Sequence, residues 1–285
     1  MSLLPLVAAF FMATPSTVAD MPQASPLPQV QTRRIGERLD YSLHAVLSQS
    51  IAGKDAFGHA IDQALAPTNV KGYERIVVMK IDGHGVTVHR SGSITATVDD
   101  AKPVTTPGQS WSLVDARGRI VRDSGKLGGL FLLPLPFLGE TAVKAGDDLA
   151  VGDAWTAKLG TKLYAMTAQP VMRFSVTGTR MVLGVHVFTI QATGTVSMRE
   201  PVMTSSGEPL GYAVGTAKIT AEFDYDRDDR RLISLQAVME DTLHYSGPAK
   251  HAGGSVHDRQ RWSLALDSSS MTAGVNAAQA PGPQP

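Results

Sequence analysis

The chain opens a strand twice in the same way, and that echo constrains its architecture more than any other feature. Gly36-Glu37-Arg38-Leu39 begins one alternating stretch and Gly152-Asp153-Ala154-Trp155 begins another. Each opening is followed by hairpin-like segments and then by a glycine-led strand, Gly92-Ser93-Ile94-Thr95-Ala96 in the first half and Gly194-Thr195-Val196-Ser197 in the second. Each half then reaches a turn rich in Asp and Arg, Val114 to Ile120 and Phe223 to Leu232. Self-similarity of this kind is the mark of a structural unit used more than once. The unit itself is β. In Lys218 to Tyr225 the odd positions are apolar and the even ones polar or charged, and Val86, Val88, Ile94, Ala96 and Val98 place apolar side chains on even positions. Period-two alternation puts one face of a strand in a core and the other in water.

Further strands are expected at 40–50, 74–81, 110–115, 120–123, 172–176, 185–198, 232–239 and 261–266, joined by turns such as Asp82-Gly83 and Arg117-Gly118. Short connections and burial of one face favour antiparallel pairing. The fold expected is therefore mainly β, an antiparallel meander forming two related curved sheets or one long curved sheet, with one short helix. The helix is placed on Phe57, Ile61 and Leu65, which recur at i, i+4 and i+8 between Lys54-Asp55 and Pro67.

The ends differ from the middle. Leu3 to Met12 is an apolar run of about ten residues, short of the roughly twenty that a membrane-spanning helix needs. With small residues at Thr17 and Ala19 it reads as a signal peptide over residues 1–19, although no Lys or Arg precedes the run. A Pro-rich leader occupies 20–35, the first β half 36–126, an apolar connector 127–146 and the second β half 147–267. Residues 268–285, made of Ala, Gly, Pro, Gln and small polar residues, carry too few bulky side chains to repay ordering and read as a disordered tail. An extracytoplasmic location, periplasmic or secreted, follows from this reading, with no transmembrane segment after signal removal. Cysteine is absent, which removes disulfides, thiolate catalysis and thiolate metal sites.

Among 285 residues, Lys plus Arg and Asp plus Glu are equal at 26 each, so no charge excess exists to gather phosphates and no nucleic-acid partner is expected. No catalytic motif is present: there is no Gly-x-Ser-x-Gly, Ser-x-x-Lys, His-Glu-x-x-His or phosphate loop. The run Asp224-Tyr225-Asp226-Arg227-Asp228-Asp229 has the alternate acids of a calcium loop, but Asp229 stands where that loop needs Gly and Leu235 where it needs Glu, so a solvated hairpin turn is expected. The histidines do not assemble a zinc site. His84 falls in a turn, His89 lies on the opposite face, His186 shares the parity of Phe188 and Ile190 as a core histidine would, and His244, His251 and His257 are spread along Gly-rich chain. No metal and no cofactor are expected.

The most unusual stretch is the connector, Leu127 to Gly139, in which Pro134 and Pro136 forbid a helix interior or a central strand. It is either core laid across an open sheet end or a contact for an apolar ligand. On the second reading Leu130, Phe131, Leu133, Leu135 and Phe137 border the binding surface.

The run Val151-Gly152-Asp153-Ala154-Trp155, with Phe174 to Gly178 and the closing hairpin from Phe223 to Leu232, resembles exported bacterial β proteins of unknown function in which such an opening precedes a meander. At the level of fold the layout is similar to the half-barrel of periplasmic lipoprotein carriers, which hold acyl chains in an apolar cradle; no site residues carry over. The residues also have a reading of their own: Gly152 permits a left-handed entry, Asp153 caps nearby amides and Trp155 anchors the sheet. Two functions stay open. One is a non-enzymatic exported protein that binds a hydrophobic molecule or an envelope protein; the alternative is a secreted hydrolase with a dispersed active site.

Overall fold

The computed structural model describes residues 34–54, 59–99, 101–114, 120–123, 150–158, 167–168, 170–203, 209–226, 231–246 and 253–267. They form twelve strands: β1 Arg38–Lys54, β2 Ala60–Ala64, β3 Thr68–Asp82, β4 Gly85–Val98, β5 Val104–Val114, β6 Ile120–Asp123, β7 Ala154–Lys158, β8 Val171–Val182, β9 Val185–Met203, β10 Pro209–Asp226, β11 Arg231–Ser246 and β12 Gly253–Leu266. Every pairing is antiparallel, and all strands belong to one sheet. The two halves are thus fused in a single curved, unclosed sheet.

The strand order is β6-β5-β4-β3-β1-β12-β11-β10-β9-β8-β7, with β2 beside β1. Followed from β7 through β12 and on from β1 to β6, it is an up-and-down meander. Its centre is the only place where neighbours are distant in sequence: β1 and β12 pair from Tyr41↔Leu266 to Lys54↔Gly253. β6 and β7 are the two outer strands of this path.

No helix occurs among the described residues. Ala60–Ala64 is a strand paired with Ser50–Lys54, and the amide of Leu65 donates to the carbonyl of Gln49 at 2.9 Å. β1 is long: β12 lines its second flank from Tyr41 to Lys54, while β3 reaches only to Leu47 on the first. The protruding end of β1 needs ladder partners, and β2 supplies them, so a long-range demand overrides the local spacing of Ile61 and Leu65. Pro67 separates β2 from β3 instead of ending a helix. Phe57 lies outside the described residues.

The two strand openings have the same hydrogen bonds. Gly36 N donates to Val78 O at 2.8 Å and Val78 N to Glu37 O at 2.9 Å; Gly152 N donates to Val176 O and Val176 N to Asp153 O, both at 2.9 Å. Both glycines are left-handed, with φ of 85° and 97°. The following acid caps backward in each case: Glu37 Oε2 accepts from Arg34 N, and Asp153 Oδ2 from Ala150 N at 3.1 Å. A register shift then follows each valine, between Val78 and Lys80 and between Val176 and Gly178.

The core lies on one face. Leu39, Tyr41, Leu43 and Ala45 of β1 meet Ile76 and Val70 of β3 on one side and Trp262, Leu264 and Leu266 of β12 on the other. The inner face continues through Leu235, Phe223, Ile190 and Phe174 to Trp155, whose ring stacks on Phe174 at 5.3 Å. Tyr41 reaches over β12 to donate to the carbonyl of Leu232 at 3.0 Å. On the opposite face, Asp224 is buried and held by the guanidinium of Arg180 at 2.9 and 2.7 Å and by Ser234 Oγ at 2.7 Å. Asp226 is likewise buried against Arg231. These two acids are therefore clasps within the ladder, contrary to the solvated turn expected for them.

Two inward glycines allow close approach of neighbouring strands. A methyl group added at Gly194 meets the carbonyl oxygen of Val171 at 2.6 Å, and one at Gly72 meets that of Ser93 at 2.6 Å. In an ordinary strand, exchange of glycine for alanine stabilises by reducing unfolded-chain entropy. At Gly194 the sign reverses: Gly194→Ala is expected to lower stability by about 1–3 kcal/mol, an overpacking cost, measured by urea denaturation.

Candidate functional site

Alignment of the halves on their shared openings reveals a difference in chemistry. Val78 pairs with Val88, Ile76 with Arg90 and Glu74 with Gly92; in the second half Val176 pairs with Ile190, Phe174 with Ala192 and Met172 with Gly194. One strand further, Ser112 and Ser110 lie opposite Val88 and Arg90, whereas Phe223 and Ala221 lie opposite Ile190 and Ala192. At matching ladder positions, Glu74, Arg90, Ser110 and Ser112 of the first half thus correspond to Met172, Ala192, Ala221 and Phe223 of the second.

All four polar residues are buried; Arg90 is 0 % exposed and Ser112 1 %. Arg90 Nε donates to Glu74 Oε1 at 2.6 Å, and its Nη2 is in contact with the same oxygen. Contact and charge cancellation are what allow two ions to remain in an apolar interior. The hydroxyls of Ser110 and Ser112 are buried with no hydrogen-bond partner among the described residues. Such groups are rare in native proteins because each forfeits its bonds to water.

A second polar group occupies the inner face near the far end of β1. Asp241 and Asp258 are cross-strand partners, both buried, and Gln49 stands opposite Asp258 on β1. Burial raises the pKa of Asp258 above the ordinary aspartate value; a hydrogen bond with Gln49 and the nearby His257 act the other way.

A depression of about 510 Å³ opens at the β3–β6 corner, lined by Asp82, His84, Thr87, Trp111, Ser112, Leu113 and Arg122, most of which lie on the face opposite the core. Trp111 is half-exposed and packs at a tilt against His89, with 4.7 Å between centroids.

Leu130, Phe131, Leu133, Leu135 and Phe137 lie outside the described residues, as does His251. Of the other histidines, His84 occupies a turn as expected, and His186 is exposed at a strand end instead of sitting in the core. His257 contacts the hydroxyls of Thr242 and Ser255 at 3.0 and 3.3 Å. Among the described residues no cluster of three or more His, Cys, Asp or Glu has the arrangement of a metal site, and no helix is long and apolar enough to cross a membrane. Sequence reading missed Glu74, Arg90, Asp241 and Asp258 as members of the inner face. The signal was available for Arg90: it falls on the even, apolar parity of Val86, Val88 and Ile94. The chain matches no model of a known protein family, and no curated protein matches it.

Two measurements check this account. Glu74→Ala strands a buried guanidinium and is expected to cost about 3–5 kcal/mol in urea denaturation. The pair Glu74→Met with Arg90→Ala, which copies the chemistry of the second half, should recover most of that loss. For Asp258 the folded pKa is raised, so the folded state holds its proton more tightly. Its contribution to stability is full below the ordinary aspartate pKa and is lost as pH rises through the raised value. Asp258→Asn is therefore expected to raise the melting temperature at pH 7 and to change it little in acid, read from melting curves across pH 3–8.

Proposed function

We propose that the chain is an exported, non-enzymatic β protein that holds a chiefly apolar, acyl-type molecule against the inner face of its curved sheet. The observation that carries this reading is that nine neighbouring strands, from β4 through β1 and β12 to β7, contribute apolar side chains to one continuous core on the same side of one open sheet. A barrel of about eight strands is just wide enough for its own side chains to fill. An arc of eleven exceeds that number and is not closed, and in this reading its apolar wall is where the guest is held. The buried polar groups of that face, an ion pair, two hydroxyls and an acid pair, are few and grouped at two places, as expected where polarity orients a ligand against an otherwise apolar wall. The resemblance of the layout to lipoprotein carriers and the leader expected over residues 1–19 agree with an extracytoplasmic carrier. In this reading the halves are two copies of one unit, of which the first acquired the polar positions.

Titration of the purified protein with a fluorescent acyl-chain probe tests the proposal. Saturable binding at one site per chain, displaced by an unlabelled acyl compound, is the expected result. Absence of saturable binding, or turnover of ester substrates by the same preparation, would contradict it.

A further inference from the structure

We infer that Ser110 and Ser112 form the recognition point for an uncharged acyl ester carbonyl, held beside the Glu74–Arg90 pair. The inference rests on the apolar-carrier reading and adds the head group that the carrier selects. Three observations lead to it. The fold does not require polarity at these positions, because the second half builds the same ladder with Ala221 and Phe223 there. Ser110 and Ser112 are 3 % and 1 % exposed, and their hydroxyls have no hydrogen-bond partner among the described residues. They are two residues apart on one strand, so both face inward and can converge on one acceptor atom.

The charge state of the surroundings selects the ligand. Arg90 is in direct contact with Glu74, and the pair contributes no net charge to the site. A free carboxylate or phosphate brought there meets no uncompensated cation and leaves its own charge desolvated, at high cost. An ester carbonyl bears no charge, needs only donors, and accepts hydrogen bonds from two hydroxyls at once. Its acyl chain continues over the apolar inner face. Ser110 and Ser112 act here as binding residues, and no bond is made or broken.

The test compares three fluorescent probes of equal chain length, a hydrocarbon, its acyl methyl ester and the free acid at pH 8, on wild type and on Ser110→Ala/Ser112→Ala. Wild type should bind the ester about tenfold more tightly than the hydrocarbon, as two modest hydrogen bonds allow, and more tightly than the acid. The double variant should lose that preference while retaining its affinity for the hydrocarbon. Its melting temperature should stay equal or rise, since two unpartnered buried hydroxyls have been removed. Equal wild-type affinity for ester and hydrocarbon overturns the inference and leaves the carrier reading intact, and does so without reference to the variant. Tighter binding of the acid also overturns it, as does a preference that survives in the double variant. Failure of wild type to bind any of the three removes the carrier reading, and this inference with it.

Discussion

The pairing of β1 with β12 is the constraint on which the rest of the architecture depends. Every other pairing in the strand path lies within one half of the chain, between consecutive strands or, for β1 and β3, across the short β2 alone. Only this ladder, from Tyr41↔Leu266 to Lys54↔Gly253, joins the beginning of the first half to the end of the second. Without it, each half is a short meander with an apolar face and a free edge at β1 or β12. With it, Leu43 and Ala45 gain Leu264 and Trp262 as same-face neighbours, and the core is continuous from Val88 to Phe174. The close approach at the end of this ladder is bought with glycine: Gly53 and Gly254 are partners, and a side chain on Gly254 would run into the backbone of Ala52 and Gly53.

The inner face is uniform in shape and uneven in chemistry. A buried ion pair gains little over apolar packing once desolvation is counted, and the second half demonstrates the apolar solution at the same ladder positions. The first half nevertheless keeps Glu74, Arg90, Ser110 and Ser112 there. Retention of a costly arrangement beside a working cheaper one within the same chain is the strongest local reason to connect these residues with ligand recognition. The acid pair of Asp241 and Asp258 lies further along the ladder, opposite Gln49 of β1 and apart from these four residues.

Much of the fold was legible because alternation is a direct consequence of the pleat. Val86 to Val98 and Lys218 to Tyr225 are strands as their parity requires, and Gly36 and Gly152 take the left-handed conformation that glycine allows. The error at Ile61 and Leu65 had a physical cause: i, i+4 spacing is compatible with a helix, and nothing local reveals that β1 extends past β3 and needs a partner there. Asp224 was legible as part of a hairpin but not as a clasp, because Arg180, Thr189 and Ser234 reach it from three other strands. The polar site was half-visible. Arg90 breaks the apolar parity of β4, yet its meaning depends on Glu74 being its diagonal neighbour, a matter of register that sequence does not carry.

Hydrogen exchange followed by mass spectrometry addresses the central claim, that one sheet is built by the meeting of β1 with β12, most directly. The account predicts that peptides from 38–54 and 253–266 are among the most protected and that both halves open with them as a single cooperative unit. Rapid exchange in those two segments, with 68–114 and 171–246 retaining separate and unequal protection, would contradict it.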